Sequence, residues 1–343
     1  MQGRRANMLG FLILVPLTFA ETGNGGNGEG DRVLELPGIT VEAFRFEDDP
    51  RNLPVPVTVI GPQELEKTSG TLLPEILRRE ASVRWRSVTG SPANAEVTLR
   101  GFGGSSHLRT LILVDGMKLN RPDLATVNWL ALPVAAIESV EVLRGSQTAL
   151  YGNHAVGGVI RIRTRRPGES WTTAVSGTLG SEGFRNAWIA ANGSLGDLAA
   201  RLTVERFRDD GYRENADAEA DGLSSQLHWE PGSDLSVRAS LRYTDSLSTF
   251  PGPLTETAYR EDPRQSLVPG NEAKEDQWTF HTHLELRPDA PWNLRIDGGY
   301  NARDSEWNLD GNHSDNRTDT VTFSPRLAWE NGKGHAAIGL DWI

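Results

Sequence analysis

From Trp171 onward, apolar and polar residues alternate in runs that return every few positions to the same two faces. In LSVRASLRY, Leu235, Val237, Ala239, Leu241 and Tyr243 fall on one face of an extended strand, with Ser236, Arg238, Ser240 and Arg242 on the other. In WTFHTHLELR, Trp278, Phe280, Thr282, Leu284 and Leu286 oppose Thr279, His281, His283, Glu285 and Arg287. LRIDGGY and SPRLAWE repeat the pattern. The runs predict roughly nine strands of about ten residues, with short turns (EPGSD, RPDAP, ENGKG) alternating with longer polar loops. A β-sandwich also alternates, because one face of each sheet is buried. Strand length, loop asymmetry and tryptophans or tyrosines near strand ends (Trp188, Trp229, Tyr243, Trp278, Trp292, Tyr300, Trp329) favour a membrane barrel with an aromatic girdle.

Upstream, Val55 to Thr164 reads as an α/β unit. VPVTVI, EVTLRGF, RTLILVDG, IESVEVLRG and GGVIRIRT predict strands. Two short helices start at Gly61-Pro62 and at Thr71, a fitting N-cap, and Leu73, Ile76 and Leu77 share one helical face. The stretch Ile137 to Arg166 clusters glycines at 145, 152, 157 and 158 and ends with Arg161, Arg163 and Arg165 alternating on one face. Solvated charge is the expectation for those three arginines, or charge facing a barrel wall if the strands downstream enclose this unit.

Composition narrows the class. The net charge of -11 argues against a nucleic-acid partner, which needs clustered Lys and Arg. The first twenty residues have a basic start (Arg4, Arg5), an apolar run from Met8 to Phe19, and Thr18 and Ala20 at -3 and -1 of a cleavage point, the pattern of a secretory signal peptide. Cysteine is absent, so an exported chain draws no stability from disulfides. No later apolar run is long enough for a spanning helix, whereas barrel strands need none. After the cleavage point, ETGNGGNGEGDR has the composition of a flexible tether, and GITVEAF within it is a short strand-prone patch open to capture by another sheet.

Together, PVPVTVIGPQELEKTSGTLLPEILRREASV, EVTLRGFGGSSHLRTLILVDGMKLN and IESVEVLRGSQTALYGNHAVGGVIRIRT resemble, in order, the plug domain of TonB-dependent outer-membrane receptors. Ser146 stands where the family pattern usually has proline, and Arg161 where asparagine is common. The resemblance implies an α/β plug followed by antiparallel transmembrane β-barrel strands, about nine of an expected 22. It divides the chain into a signal peptide (1–20), a flexible segment with the TonB box (21–45), the plug (46–168) and a partial barrel (169–343). Size agrees with that expectation. A plug of about 120 residues has a radius of roughly 17 to 18 Å, matching the space inside about 22 tilted strands, whereas nine closed strands give a radius of only about 9 Å.

Site residues follow from the same resemblance. Ile39, Thr40, Val41, Glu42 and Ala43 occupy the TonB-box position and imply binding to TonB and its inner-membrane motor by strand addition. Arg100 and Arg144, in the RGF and LRG motifs, correspond to plug arginines that pair with barrel glutamates. Arg86, Asn94, His107, Asn120, Arg121 and Asn128 lie in loops resembling the family's apical, ligand-facing positions. The implied function is energised uptake of a scarce ligand, a ferric siderophore or cobalamin, across the outer membrane, with no cofactor and no covalent chemistry. An enzyme is disfavoured: His281 and His283 have no third ligand at supporting spacing, and GFGGSS lacks the Lys and Ser/Thr of a phosphate loop. The alternative is a truncated exported protein whose plug serves as a soluble binding module.

Overall fold

A computed structural model describes residues 56–67, 72–87, 92–101, 108–122, 125–152, 154–288, 291–331 and 334–342. The signal-peptide, tether and TonB-box assignments lie outside these residues, as do Thr71 and His107. The first part is an α/β unit of β1 (Val57–Ile60), α1 (Pro62–Glu66), α2 (Leu73–Ala81), β2 (Arg84–Arg86), β3 (Glu96–Thr98), β4 (Thr110–Val114), β5 (Met117–Lys118), β6 (Ile137–Arg144), α3 (Thr148–Tyr151) and β7 (Gly158–Thr164). Its main sheet has the order β1-β6-β7-β4-β5, antiparallel except for β4 against β7; β2 and β3 form a separate pair.

The apolar spacing read in α2 does the packing expected of it. Leu73, Ile76 and Leu77 are buried on one face against Ile112, Val140 and Ile160 of the core. The helix N-cap is Leu72, with no side-chain cap; a proline in the first turn starts the helix, and left-handed Ser82 (φ 50) ends it with its N–H on Leu77 O. EVTLRGF is strand only to Thr98, because Arg100 (φ 60) and Gly101 (φ 67) turn the chain away. Trp129, fully buried, donates its indole N–H to Ala95 O at 2.8 Å.

The second part is a meander of nine antiparallel strands, each paired to its sequence neighbour: β8 (Thr172–Leu179), β9 (Arg185–Leu195), β10 (Leu198–Asp209), β11 (Ala218–Trp229), β12 (Leu235–Thr249), β13 (Glu272–Leu286), β14 (Trp292–Leu309), β15 (Asn312–Asn331) and β16 (Gly334–Gly339). A short helix, α4 (Glu256–Glu261), sits in the long β12–β13 connection. The strand number agrees with the sequence pattern, but the lengths do not. β12 to β15 run 15, 15, 18 and 20 residues, because alternation continues beyond the apolar stretch with charged outer-face residues such as Glu272, Lys274 and Asp276.

Burial separates the two readings of the alternation. On β13, Thr279, His281 and Glu285 are buried against the α/β unit, while Trp278 and Phe280 are 46% and 44% exposed. A sandwich buries its apolar face; this sheet buries the polar one, which is the pattern of a transmembrane barrel wall. Trp292 and Tyr300 bound the apolar stretch of β14. Their separation is about 26 Å along the strand and about 20 Å in height at a tilt of 40°, near the ~25 Å apolar band of such barrels. Trp329 pairs with Trp292, Phe280 with Tyr300, and Tyr243 packs on Trp278 at 4.5 Å, so the aromatics form two rows across neighbouring strands. Leu284→Arg, between the rows on the outer face, is therefore expected to lower wall stability by about 2 kcal/mol. The check is a urea refolding midpoint in lipid vesicles beside inner-face Thr279→Arg; equal loss in both would contradict the assignment of faces.

Candidate functional site

Chemistry concentrates where the α/β unit meets the inner face of the wall. The loop after β5 is braced by buried Asn120, whose Oδ1 accepts from Ile112 N at 2.8 Å and whose Nδ2 donates to Thr110 O at 2.9 Å. This brace presents Arg121 to Glu275 of β13, Nη1 to Oε2 at 2.8 Å, with both side chains at least nine-tenths buried. Asn128 donates to the other Glu275 oxygen at 3.1 Å and to Ser246 Oγ at 3.0 Å, while its own Oδ1 accepts from Leu130 N at 3.1 Å. Arg303 of β14 adds a second guanidinium 3.8 Å from Glu275. Beside this polar lock, Leu130, Ala93 and Leu72 pack on Phe207, Ala218 and Ala220 of the wall. The small side chains of β11 let the Trp129–Ala131 turn approach the strand closely.

A second tie forms at the β4–β5 turn. Asp115 (φ 50) accepts from Thr164 N at 2.9 Å and from Thr164 Oγ1 at 2.8 Å, and lies 3.8 Å from Arg242 of β12. Nearby, Gly299 of β14 leaves room for Met117: a Cβ there would stand 2.6 Å from its sulfur. Burial pushes the Lys118 ammonium below its ordinary range.

Under β7 lies a cavity of about 170 Å³ whose walls include Arg161, Arg163, His281, His283, Glu285 and Asp297. Glu285 accepts from Arg287 at 2.6 Å, Asn293 at 2.7 Å and Arg295 at 2.8 Å. His283 Nδ1 donates to Asp297 at 2.7 Å, because a carboxylate can only accept. Among the described residues, no group of three or more His, Cys, Asp and Glu side chains could hold a metal.

The expected site residues fall into distinct places. Asn120, Arg121 and Asn128, taken from the sequence as ligand-facing, are engaged in the brace and the lock. Arg86 is 59% exposed and pairs with Glu96 at 2.8 Å across β2–β3; Asn94 sits partly buried in the Pro92–Asn94 turn. Arg144 donates to Thr58 Oγ1 at 2.6 Å and to Ala81 O, both inside the α/β unit. Arg100 is exposed, with its guanidinium near Gly145. Ion pairs that join the unit to the described strands run through Arg121 and Arg242. Arg161 and Arg163 are not simply solvated: both reach Glu141 of β6, at 3.2 and 3.0 Å, and Arg165 donates to Ile137 O at 3.0 Å. Sequence reasoning did not single out Glu275 or Asp115, although Glu275 shares the parity of Gln277 and Thr279 and so sits on the inner face.

At the end of the wall away from the β7 cavity the long loops are tied together. Arg213 donates to Gly252 O at 2.6 Å and Gln265 O at 2.8 Å, Asn215 donates to Phe250 O at 2.9 Å, and Arg264 pairs with Glu182 at 2.5 Å.

Residues 49–159 match the family model for the TonB-dependent receptor plug domain. The vitamin B12 transporter BtuB of Vibrio cholerae serotype O1 is 26% identical over 268 residues, covering 74% of this chain and 43% of the relative. Among solved structures, the ferric citrate transporter FecA in its unliganded form superposes with a TM-score of 0.76 at 20% identity, covering 85% of this chain and 47% of that one. The ferric yersiniabactin uptake receptor FyuA from Yersinia pestis gives 0.72 at 18% identity over 84% and 48%. The chain thus spans less than half the length of each of these proteins.

Proposed function

This chain carries the plug domain of a TonB-dependent receptor followed by nine strands of barrel wall, and from that we propose that it serves energised uptake of a scarce ligand, a ferric siderophore or cobalamin, across the outer membrane. The observation that carries the reading is the inverted burial of the wall, apolar outward and polar against the plug. An apolar face of that extent needs a lipid surround, which also counts against the soluble-module alternative. Relatives named for vitamin B12 and for ferric chelates supply the ligand classes.

In this reading the ligand binds above the plug among the tied long loops, with Arg86, Asn94 and His107 as its contacts. Asn120, Arg121 and Asn128 act one step removed, setting the plug's height against the wall. TonB adds Ile39 to Ala43 to its own sheet, and the inner-membrane motor pulls on that strand. Pulling must break contacts rather than bonds, so no covalent chemistry and no cofactor enter.

Val41→Pro tests this directly, because proline removes a backbone donor and bends the added strand. Cells carrying the variant are expected to bind vitamin B12 or ferric citrate at the wild-type level and to lose energised uptake. Uptake at the wild-type rate would remove the box assignment.

A further inference from the structure

The chain as a whole is acidic, yet the cavity under β7 is lined by eight arginines and only four carboxylates. Carboxylates behind the lining answer some of them, Glu66 pairing with Arg165 at 3.2 Å, and two carboxylates are shared. Glu141 serves Arg161 and Arg163 together, and Glu285 serves Arg287 and Arg295 together. Arg326 forms two long ion pairs, with Asp297 and Asp341, each at 3.7 Å. On the cavity's own surface guanidiniums thus outnumber carboxylates two to one, in a space walled by low-dielectric protein that focuses their field. A second observation points the same way. His281 is more than nine-tenths buried and lines the cavity; its Nε2 makes no hydrogen bond, and Asp297 stands 3.6 Å away.

Position gives the cavity a role. Its lining reaches Glu230 and Arg287, which open the short turns of the wall. Along β13, Glu285 lies ten residues from Glu275, about 33 Å at strand rise, so the cavity is far from the lock near the long loops. In bacterial outer-membrane barrels the short turns face the periplasm. In the uptake reading, β7 and this cavity therefore lie on the side from which a ligand leaves.

We propose that the cavity is an anion-binding way station on the exit side of the plug, and hence that the carried ligand presents carboxylate or phosphate oxygens. The inference rests on the uptake reading above. At about 170 Å³ the space admits one such group while the plug is at rest, since pockets enclosing whole drug-sized ligands run to about 300–1,000 Å³.

Calorimetric titration of citrate into the detergent-solubilised chain at low ionic strength is the test. Wild type is expected to bind, and R238Q and R326Q each to weaken binding about tenfold, whereas R238K and R326K stay within about twofold because they keep the charge. Added salt should weaken all of them. The lysine variants guard against misfolding, since loss in both the glutamine and the lysine forms would mean the site depends on packing, not charge, and would overturn the proposal. No citrate binding in wild type, or equal binding in wild type and the glutamine variants, would overturn it too. If V41P still abolishes uptake in that case, the uptake reading stands without the way station. If citrate binds as expected while V41P transports normally, the anion site is supported and the TonB assignment fails.

Discussion

Glu275→Ala is expected to weaken the hold of the wall on the plug by about 3–5 kcal/mol, the usual result of removing one partner of a buried ion pair and leaving the other charge unanswered. Here two guanidiniums are left, Arg121 at 2.8 Å and Arg303 at 3.8 Å, together with the Asn128 amide. Trp129, adjacent in sequence to Asn128 and wholly buried, gives the readout: its fluorescence should report plug release at a lower urea concentration. Arg121→Met added to Glu275→Ala should cost less than it does alone, because the charge it removes has already lost its partner. A shift below about 0.5 kcal/mol for the single variant would show that water or a rearranged arginine replaces the carboxylate, and the lock would lose its place in the mechanism.

Gly158→Val is expected to be as damaging, by a different route. Gly158 opens β7 at φ 148, and a Cβ there would stand 2.3 Å from Leu143 O and 2.6 Å from Leu99 Cδ1. Neither neighbour can yield: one is backbone in β6, and the other belongs to the core. Backbone strain and overpacking together predict about 3–5 kcal/mol. Gly152→Ala, also at positive φ (ψ -133) but with nothing within 4 Å, should cost less, about 1–3 kcal/mol from the backbone alone. Limited proteolysis of the plug under graded urea compares the two; equal resistance would mean that β6 and β7 part easily enough to admit a side chain.

The faces of the wall strands were readable from sequence because side-chain parity is a local property. Leu241 and Phe280 point outward, and Arg242 and His281 inward, as their alternation requires. Strand length was less legible: the outer face changes from apolar to charged at Asp276 without changing its period, so composition marks the edge of the bilayer and not the end of the strand. Loop-end roles were the least legible. Arg121 sits in a polar loop that looks ligand-facing, and its partner is 154 residues away, a distance no local pattern encodes. Likewise Arg161 stands where the resembled plug pattern has asparagine, and its partner Glu141 is visible only once β6 and β7 are in register. Arg144 bonds to Thr58 and Ala81 because it closes the β1–β6 edge and lies over the end of α2, a position that no run of residues around it announces.

Strand order has a consequence for how the molecule is assembled. Every wall strand pairs with its sequence neighbour, so the wall can grow hairpin by hairpin at little loop-closure cost. The plug sheet is the reverse: β1 meets β6 across more than seventy intervening residues, and β4 meets β7 parallel across more than forty. Such pairings form slowly. During N- to C-terminal synthesis or export, the plug sequence emerges whole before any wall strand, with Leu130 and Arg121 still lacking their apolar and charged partners. Docking then joins a finished plug to β11 and β13, and until that moment the plug surface around Trp129–Ala131 needs shielding from aggregation, as the outer face of the wall does until lipid covers it.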